Sequence, residues 1–179
     1  MMSPFHATAT DAPTVAEILA ALAGLHRNYA HRNDTWAFFD ELRLGTGFRR
    51  DSAQSVDAFA IALWPTDHWA TYAYEIKVTR ADFLRELKHP LKRRPALRFS
   101  NLFWFATPEG LVKPEEVPIE CGLLEVRRNE KPLLGDHDQL WKSHVVVPAP
   151  WRDVPPPTWN LFASVARRVQ RLEQGNGQR

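Results

Sequence analysis

Tyr74-Glu75-Ile76-Lys77-Val78 is the stretch that decides the predicted fold. The side chains of a β-strand alternate between its two faces, so Glu75 and Lys77 share one face while Tyr74, Ile76 and Val78 point into a core. Half-burying an acid and a base on such a strand is costly, because both groups lose hydration. The presence of Glu75 and Lys77 is better explained if they form a site together with a cation and a phosphate. The alternative is an ordinary exposed ion pair, since such pairs are common and weak.

An acid on the preceding predicted strand, residues 55–63, has the same character. Asp57 shares its face with the large apolar side chains of that strand. A carboxylate in such a run needs a partner, unless it sits exposed at the end of the sheet. Residues 64–67 turn the chain into the next strand, so neighbouring strands would bring Asp57 to Glu75 and Lys77.

A basic stretch follows these two strands. Thr79-Arg80-Ala81-Asp82 has the form of a capping box, which predicts a helix that Pro90 interrupts. Between residues 80 and 98, two acidic residues stand against seven basic ones, namely Arg80, Arg85, Lys88, Lys92, Arg93, Arg94 and Arg98. In a chain of net charge +2, this local excess of five positive charges predicts a surface for a polyanion. A solvated basic helix face is the alternative.

The rest of the chain predicts an α/β fold. Residues 101–106 are apolar on both faces, which is typical of a strand covered by helices on both sides. A helix is expected over 14–25 and a short strand at 123–126, while 35–44 fits either a helix or a strand. The predicted organisation is a flexible N-terminus (1–13), one domain (14–147), a Pro-rich connector (148–157) and a final helix packed on the same domain (158–173).

Composition sets the class of protein. With 179 residues, 44% of them hydrophobic, the chain can bury one core. Cys121 is the single cysteine, so no intramolecular disulfide forms and a reducing compartment is expected. No signal-like N-terminus or membrane-length apolar run is present, which predicts a soluble cytoplasmic protein with no membrane partner. His26 and His31 stand in a polar connector and are expected on the surface rather than as metal ligands.

The order acid, strand, acid-X-lysine and helix resembles the PD-(D/E)XK nuclease superfamily. Asp57 stands at its first acidic position and Glu75-Ile76-Lys77 at its (D/E)-X-K. The longer run EIKVTRADFLRELK, followed by NLFWFA, PEGLV and CGLLEV, is similar to the MmcB-like DNA-repair branch and to related uncharacterised phage and bacterial proteins. The resemblance covers roughly residues 40–126. Val56 departs from the proline of the superfamily pattern, and Asp51 offers a rival first acid.

The resemblance implies a restriction-endonuclease-like core, a mixed central sheet flanked by helices, and metal-dependent hydrolysis of DNA in repair or in phage or mobile-element DNA processing. Mg²⁺ or Mn²⁺ would be held by Asp57, Glu75 and the carbonyl of Ile76, which are oxygen ligands of the kind that hard cations prefer. Lys77 would position water or stabilise the phosphate. Glu41 matches the third acid that members often supply upstream.

DNA is the partner that this reading implies, and its backbone phosphates would be bound without sequence readout. The residues expected to bind it are Arg80, Lys88, Lys92, Arg93 and Arg94. A catalytically inactive nucleic-acid-binding or partner-binding module on the same fold stays open as a second hypothesis. A homodimer or a protein partner also stays open.

Overall fold

A six-stranded sheet with helices on both faces organises the chain. The computed structural model describes residues 12–27, 35–44, 55–129 and 140–176. In chain order the elements are α1 (Val15–Leu25), β1 (Trp36–Arg43), β2 (Ser55–Ala62), β3 (Thr71–Ile76), α2 (Arg80–Leu87), α3 (Arg94–Phe99), β4 (Leu102–Pro108), β5 (Gly122–Arg128), β6 (Trp141–Val147) and α4 (Trp159–Asn176). Among the helices in these ranges, none combines the length and the apolar character needed to cross a membrane.

The strands lie in the sheet in their sequence order, β1 to β6. β3 pairs antiparallel with β2 on one side and parallel with β4 on the other. The β1–β2 and β5–β6 pairs are antiparallel and the β4–β5 pair is parallel. The expected α/β fold with a mixed sheet flanked by helices is therefore confirmed.

Each face of the sheet carries its own core. On one face, Phe59 of β2 and Phe83 of α2 are fully buried in a cluster that α3 and α4 also cover. On the other face, Ile18 and Leu22 of α1 are buried against a second cluster. β4 contributes Phe103 and Phe105 to the first cluster and Trp104 and Ala106 to the second. This alternation confirms that residues 101–106 are covered on both sides.

The ambiguous stretch over 35–44 forms a strand. Trp36 and Phe38 pack on the α1 side of the sheet, whereas Phe39 is buried on the opposite side. This period of two places apolar rings in both cores, which one face of a helix could not do. Pairing with β2, in which Phe39 lies opposite Phe59, fixes the strand at the sheet edge.

The expectation that His26 lies on the surface is wrong. Its side chain is buried, and its Nε2 atom lies 2.7 Å from the hydroxyl oxygen of Tyr74. The centroid of its ring lies 4.8 Å from the ring centroid of Trp36. Burial lowers the pKa of His26 to about 4, so the ring is neutral near pH 7. His26 is the C-cap of α1, and its ring fills the aromatic cluster below that helix. His31 lies outside the described residues.

Candidate active site

Asp57, Glu75 and Lys77 come together at one end of β2 and β3. The β2–β3 ladder ends with Ala58 opposite Tyr74, and Asp57 and Glu75 are the next residues of the two strands at that end. Side chains opposite one another on paired strands share a face. The ammonium of Lys77 lies 3.0 Å from Oε2 of Glu75, and both side chains are largely buried. The structure thus brings these residues together: Lys77 contacts Glu75, and the carboxylate of Asp57 contacts the backbone between them.

Backbone geometry ties Asp57 to the strand that carries Glu75. The N–H of Ile76 donates to Oδ2 of Asp57 at 2.8 Å. The next N–H, that of Lys77, donates to the carbonyl of Ala106 in β4. Because successive residues of a strand direct their N–H and C=O groups to opposite neighbours, the carbonyl of Ile76 points towards β2 and Asp57. The backbone oxygen expected as a cation ligand is therefore on the correct side of the strand.

Glu86, an acid with no role predicted from the sequence, joins the group. Its Oε2 atom lies 3.9 Å from the ammonium of Lys77, and the Glu86 side chain is 13% exposed. Helix α2 begins after Thr79, whose hydroxyl accepts a hydrogen bond from the N–H of Asp82. Glu86 comes three positions after the buried Phe83, so both lie on the sheet-facing side of α2. The spacing from Phe83 indicates that Glu86 faces the sheet, but it does not identify Lys77 as its partner.

Burial and neighbouring charges shift the pKa values of Glu75 and Lys77. Burial, followed by the negative charge of Asp57, raises the pKa of Glu75 to about 7, although Lys77 opposes the shift. Burial lowers the pKa of Lys77, but the attraction of Glu75, Asp57 and Glu86 exceeds this effect and leaves its pKa raised. Lys77 is therefore protonated at neutral pH, and the carboxyl group of Glu75 loses its proton close to neutral pH. A divalent cation would stabilise the charged form of Glu75, because opposite charge favours ionisation.

A small charged cavity opens beside these residues. Its volume is about 260 Å³, and its lining consists of Asp57, Ile76, Lys77, Asp82, Arg85, Glu86 and Lys92. Acidic and basic side chains thus meet around one space. Carboxylates can bind a metal ion, and the basic groups can bind phosphate oxygens, so the cavity suits a metal ion together with a phosphodiester.

The basic stretch divides into buried and exposed residues. Arg93 does not fit the predicted phosphate contact: its side chain is 3% exposed and lies 3.2 Å from Oε1 of Glu120. It packs inside because the turn of residues 90–93 directs it under α2, where it also donates to the carbonyl of Glu86. Arg80 is partly exposed but paired with the carboxylate of Glu116. Lys88, Lys92 and Arg94 are exposed, as DNA binding requires.

Glu41, the expected third acid, is an exposed residue of β1. The register of β1 with β2 makes it level with Asp57, but its backbone is left-handed, with φ at 50°. The acids whose charges act on Glu75 are Asp57 and Glu86. Glu86 lines the charged cavity, and Glu41 does not. Asp51, the rival of Asp57, lies outside the described residues.

The residues present fit a magnesium ion that keeps much of its water. In the part of the chain that the structure describes, no three His, Cys, Asp or Glu side chains form a metal-binding group. Mg²⁺ commonly needs only one or two carboxylates, with water and substrate phosphate completing its shell. Asp57 and Glu75 each use one oxygen in the hydrogen bonds given above, and within the described residues the other oxygen has no such partner. Those two oxygens and the Ile76 carbonyl are the available ligands.

Comparisons with known proteins define the fold and leave the function open. No protein-family model matches the chain, and no curated protein matches it. The solved structure of a protein of unknown function from Silicibacter pomeroyi is similar, with a TM-score of 0.53 and 20% sequence identity. The alignment covers 88% of this chain and 91% of that one. At this identity the similarity supports the α/β fold alone.

Proposed function

We propose that the protein is a metal-dependent nuclease of the PD-(D/E)XK type that hydrolyses phosphodiester bonds of DNA in the cytoplasm. The observation that carries this proposal is that Asp57, Ile76 and Lys77 line one charged cavity, while Glu75 lies 3.0 Å from the ammonium of Lys77. DNA repair and phage or mobile-element DNA processing are the settings in which such an activity would act. The test is cleavage of labelled single-stranded, nicked and branched DNA with Mg²⁺, Mn²⁺ or a chelator.

The roles of the residues follow from their positions. Asp57, Glu75 and the Ile76 carbonyl would hold the ion, which when bound lowers the pKa of a water molecule and neutralises phosphate charge. Lys77, which is fixed by Glu75 and Glu86, directs a positive charge to the phosphate oxygens in the same cavity. A charge fixed before the reaction stabilises the transition state without reorganisation. Glu86 orients Lys77 from the helix side.

The raised pKa of Glu75 predicts a pH-dependent stability. Between about pH 4.5 and pH 7, folded Glu75 keeps a proton that the unfolded chain releases, so the folded state loses stability as pH rises through this window. Glu75→Gln should therefore melt higher than wild type at about pH 8 and similarly at about pH 5. The gap should reach several degrees, since each kcal/mol shifts the Tm of such a domain by about 2–4 °C.

Thermal melts across pH, with and without Mg²⁺, measure this effect. Mg²⁺ should raise the Tm of wild type at high pH, because it stabilises the ionised carboxylates, and should do less for Glu75→Gln. Glu115→Gln removes an exposed carboxylate outside the site and serves as the matched control. If the difference in Tm between wild type and Glu75→Gln does not change with pH, the raised pKa of Glu75 is wrong.

The exposed basic residues predict a salt-dependent affinity for DNA. Replacing Lys88 and Lys92 by alanine should weaken binding and lower the slope of log K against log salt by about 1.4 to 1.8, because two phosphate contacts are lost. Arg167 and Arg171, exposed on α4, provide a control that removes the same charge elsewhere. Fluorescence anisotropy across a salt series measures both variants. If the Lys88/Lys92 and Arg167/Arg171 double variants show the same salt slope, the basic stretch does not bind DNA and serves solubility instead.

A non-catalytic DNA-binding module is the second candidate function. The observation that favours it is that Lys77 lies between Glu75 and Glu86, where it already compensates the acids without a metal. The two candidates differ in what the metal does. A nuclease cuts DNA only when Mg²⁺ or Mn²⁺ is supplied, whereas a binding module holds DNA with or without it.

A further inference from the structure

An apolar cavity lies at the opposite end of β2 from the charged one. Its volume is about 430 Å³, and its walls include Phe59 and Ile61 of the sheet and Leu161 and Val165 of α4. Among the described residues that line it, Thr71 carries the one hydroxyl, which already donates to the carbonyl of Phe99. Water finds few partners in such a space. The cavity is therefore suited to a large apolar group.

Trp69 stands at the mouth of this cavity with a strained backbone. Its φ is 54°, and His68 before it has a φ of 55°. A left-handed conformation is unusual for a bulky residue, and such strain persists only where the surroundings enforce it. The side chain is nevertheless 59% exposed. The fold thus maintains a large ring at the surface, which the burial of apolar area does not explain.

A groove of about 650 Å³ continues from the cavity and shares Trp69 with it. Its other wall is the Pro-rich segment of residues 154–157 together with the exposed Trp151. Prolines 155–157 have no N–H, so this wall cannot add a strand to a partner by a backbone ladder. Recognition there must use side chains.

The Pro-rich segment is anchored, which makes the groove preformed. The N–H of Arg152 donates to the carbonyl of Asn101, and the side-chain amide of Asn101 donates to the carbonyl of Arg152. The guanidinium of Arg152 turns inward and donates to the carbonyls of Ser100 and Glu120. A preformed groove lowers the ordering cost of binding.

The charge at the groove selects the kind of partner. Because Arg152 points inward, it leaves the exposed carboxylate of Asp153 without an ion pair to any described residue. That carboxylate would repel a phosphate backbone and attract a lysine or arginine. We propose that the groove binds a segment of a partner protein, which inserts a large apolar side chain into the cavity and places a basic side chain against Asp153.

This surface is separate from the charged cavity. Asp57 lies near the start of β2, whereas Ala62, at the end of that strand, lines the apolar cavity. Ala62 stands five positions after Asp57, about 16 Å along an extended strand, and the two cavities share no lining residue in the part of the chain that the structure describes. A partner segment in the groove therefore leaves the charged cavity open, and the proposal does not depend on nuclease activity.

Selection of a random peptide library displayed on phage against the full chain tests the proposal. The enriched sequences are then made as fluorescent peptides and measured by anisotropy. They should share a large apolar residue with a nearby lysine or arginine. Trp69→Ala should weaken them by about 30-fold, as the loss of an aromatic anchor does. Asp153→Lys should weaken them by about three- to fivefold, as expected for an exposed charge.

Trp64→Ala is the matched control, because Trp64 is also about half exposed but lines neither the cavity nor the groove. It should leave peptide affinity unchanged. Asp153→Lys alters an exposed side chain and keeps the test valid if Trp69→Ala does not fold. Failure to enrich peptides, or peptides that lack a basic residue, would overturn the proposal. So would displacement by single-stranded DNA, or a dimer in light scattering that Trp69→Ala dissociates.

Discussion

Replacing Lys77 by methionine is expected to slow DNA cleavage by about 10² to 10³-fold, the usual effect of losing one electrostatic contact to the transition state. DNA affinity should change little, because the contact strengthens only as charge develops. Methionine keeps most of the side-chain volume, so the packing beside Glu75 and Glu86 is preserved. The variant therefore separates catalysis from binding.

Single-turnover cleavage and anisotropy on the same labelled DNA provide the two readings for Lys77→Met. Lys113→Met, at an exposed lysine outside the charged cavity, is the control and should behave as wild type. If rate and affinity fall by the same factor, Lys77 serves binding alone and the proposed role is wrong.

Replacing Glu75 by glutamine should raise the Mg²⁺ concentration needed for half-maximal cleavage, with partial rescue at high metal. The reason is that one anionic ligand is lost while Asp57 and the Ile76 carbonyl remain. This differs from Lys77→Met, which no metal concentration should rescue. The two responses identify a metal ligand and a charge stabiliser within the same site.

A Mg²⁺ titration of the cleavage rate measures the effect of Glu75→Gln. Asp82→Asn provides the control, since Asp82 lines the same cavity but is not among the proposed ligands. Its metal requirement should match that of wild type. If Glu75→Gln cleaves DNA as fast as wild type and needs no more Mg²⁺, Glu75 is not a metal ligand.

The pattern of the strands was predictable, because alternation along a strand is a local property. Glu75 and Lys77 share a face two residues apart, and Asp57 follows the same rule one strand earlier. Once β2 and β3 pair antiparallel, Asp57 and Glu75 come to the same end of the two strands. An acid among large apolar side chains was a sufficient signal for this part of the site.

Arg93 and Glu86 were not predictable in the same way, since their directions depend on packing between distant elements. Arg93 looks like its exposed neighbours Lys92 and Arg94 in the sequence, yet the turn at 90–93 buries it against Glu120. Glu86 becomes a partner of Lys77 only when α2 packs on the sheet. Charge counting along the chain cannot separate a buried arginine from an exposed one.

His26 shows the same limit for a connector. It stands in a polar segment, and nothing in that segment predicts that its ring enters an aromatic cluster below α1. The contact with Tyr74 joins residues far apart in the chain. Tertiary contacts of this kind override the local character of a segment.

The measurement that tests the central claim most directly is cleavage of DNA by wild type and Asp57→Asn, purified in parallel, with Mg²⁺ and with a chelator. Asp57 orders the backbone at Ile76 and supplies a proposed ligand, and asparagine keeps its shape while removing the charge. Wild type should cut with Mg²⁺ and not with the chelator. Asp57→Asn should lose nearly all cleavage while it still binds DNA. A wild-type protein that binds DNA but never cuts it with any metal, or cleavage that Asp57→Asn retains in full, would contradict the account.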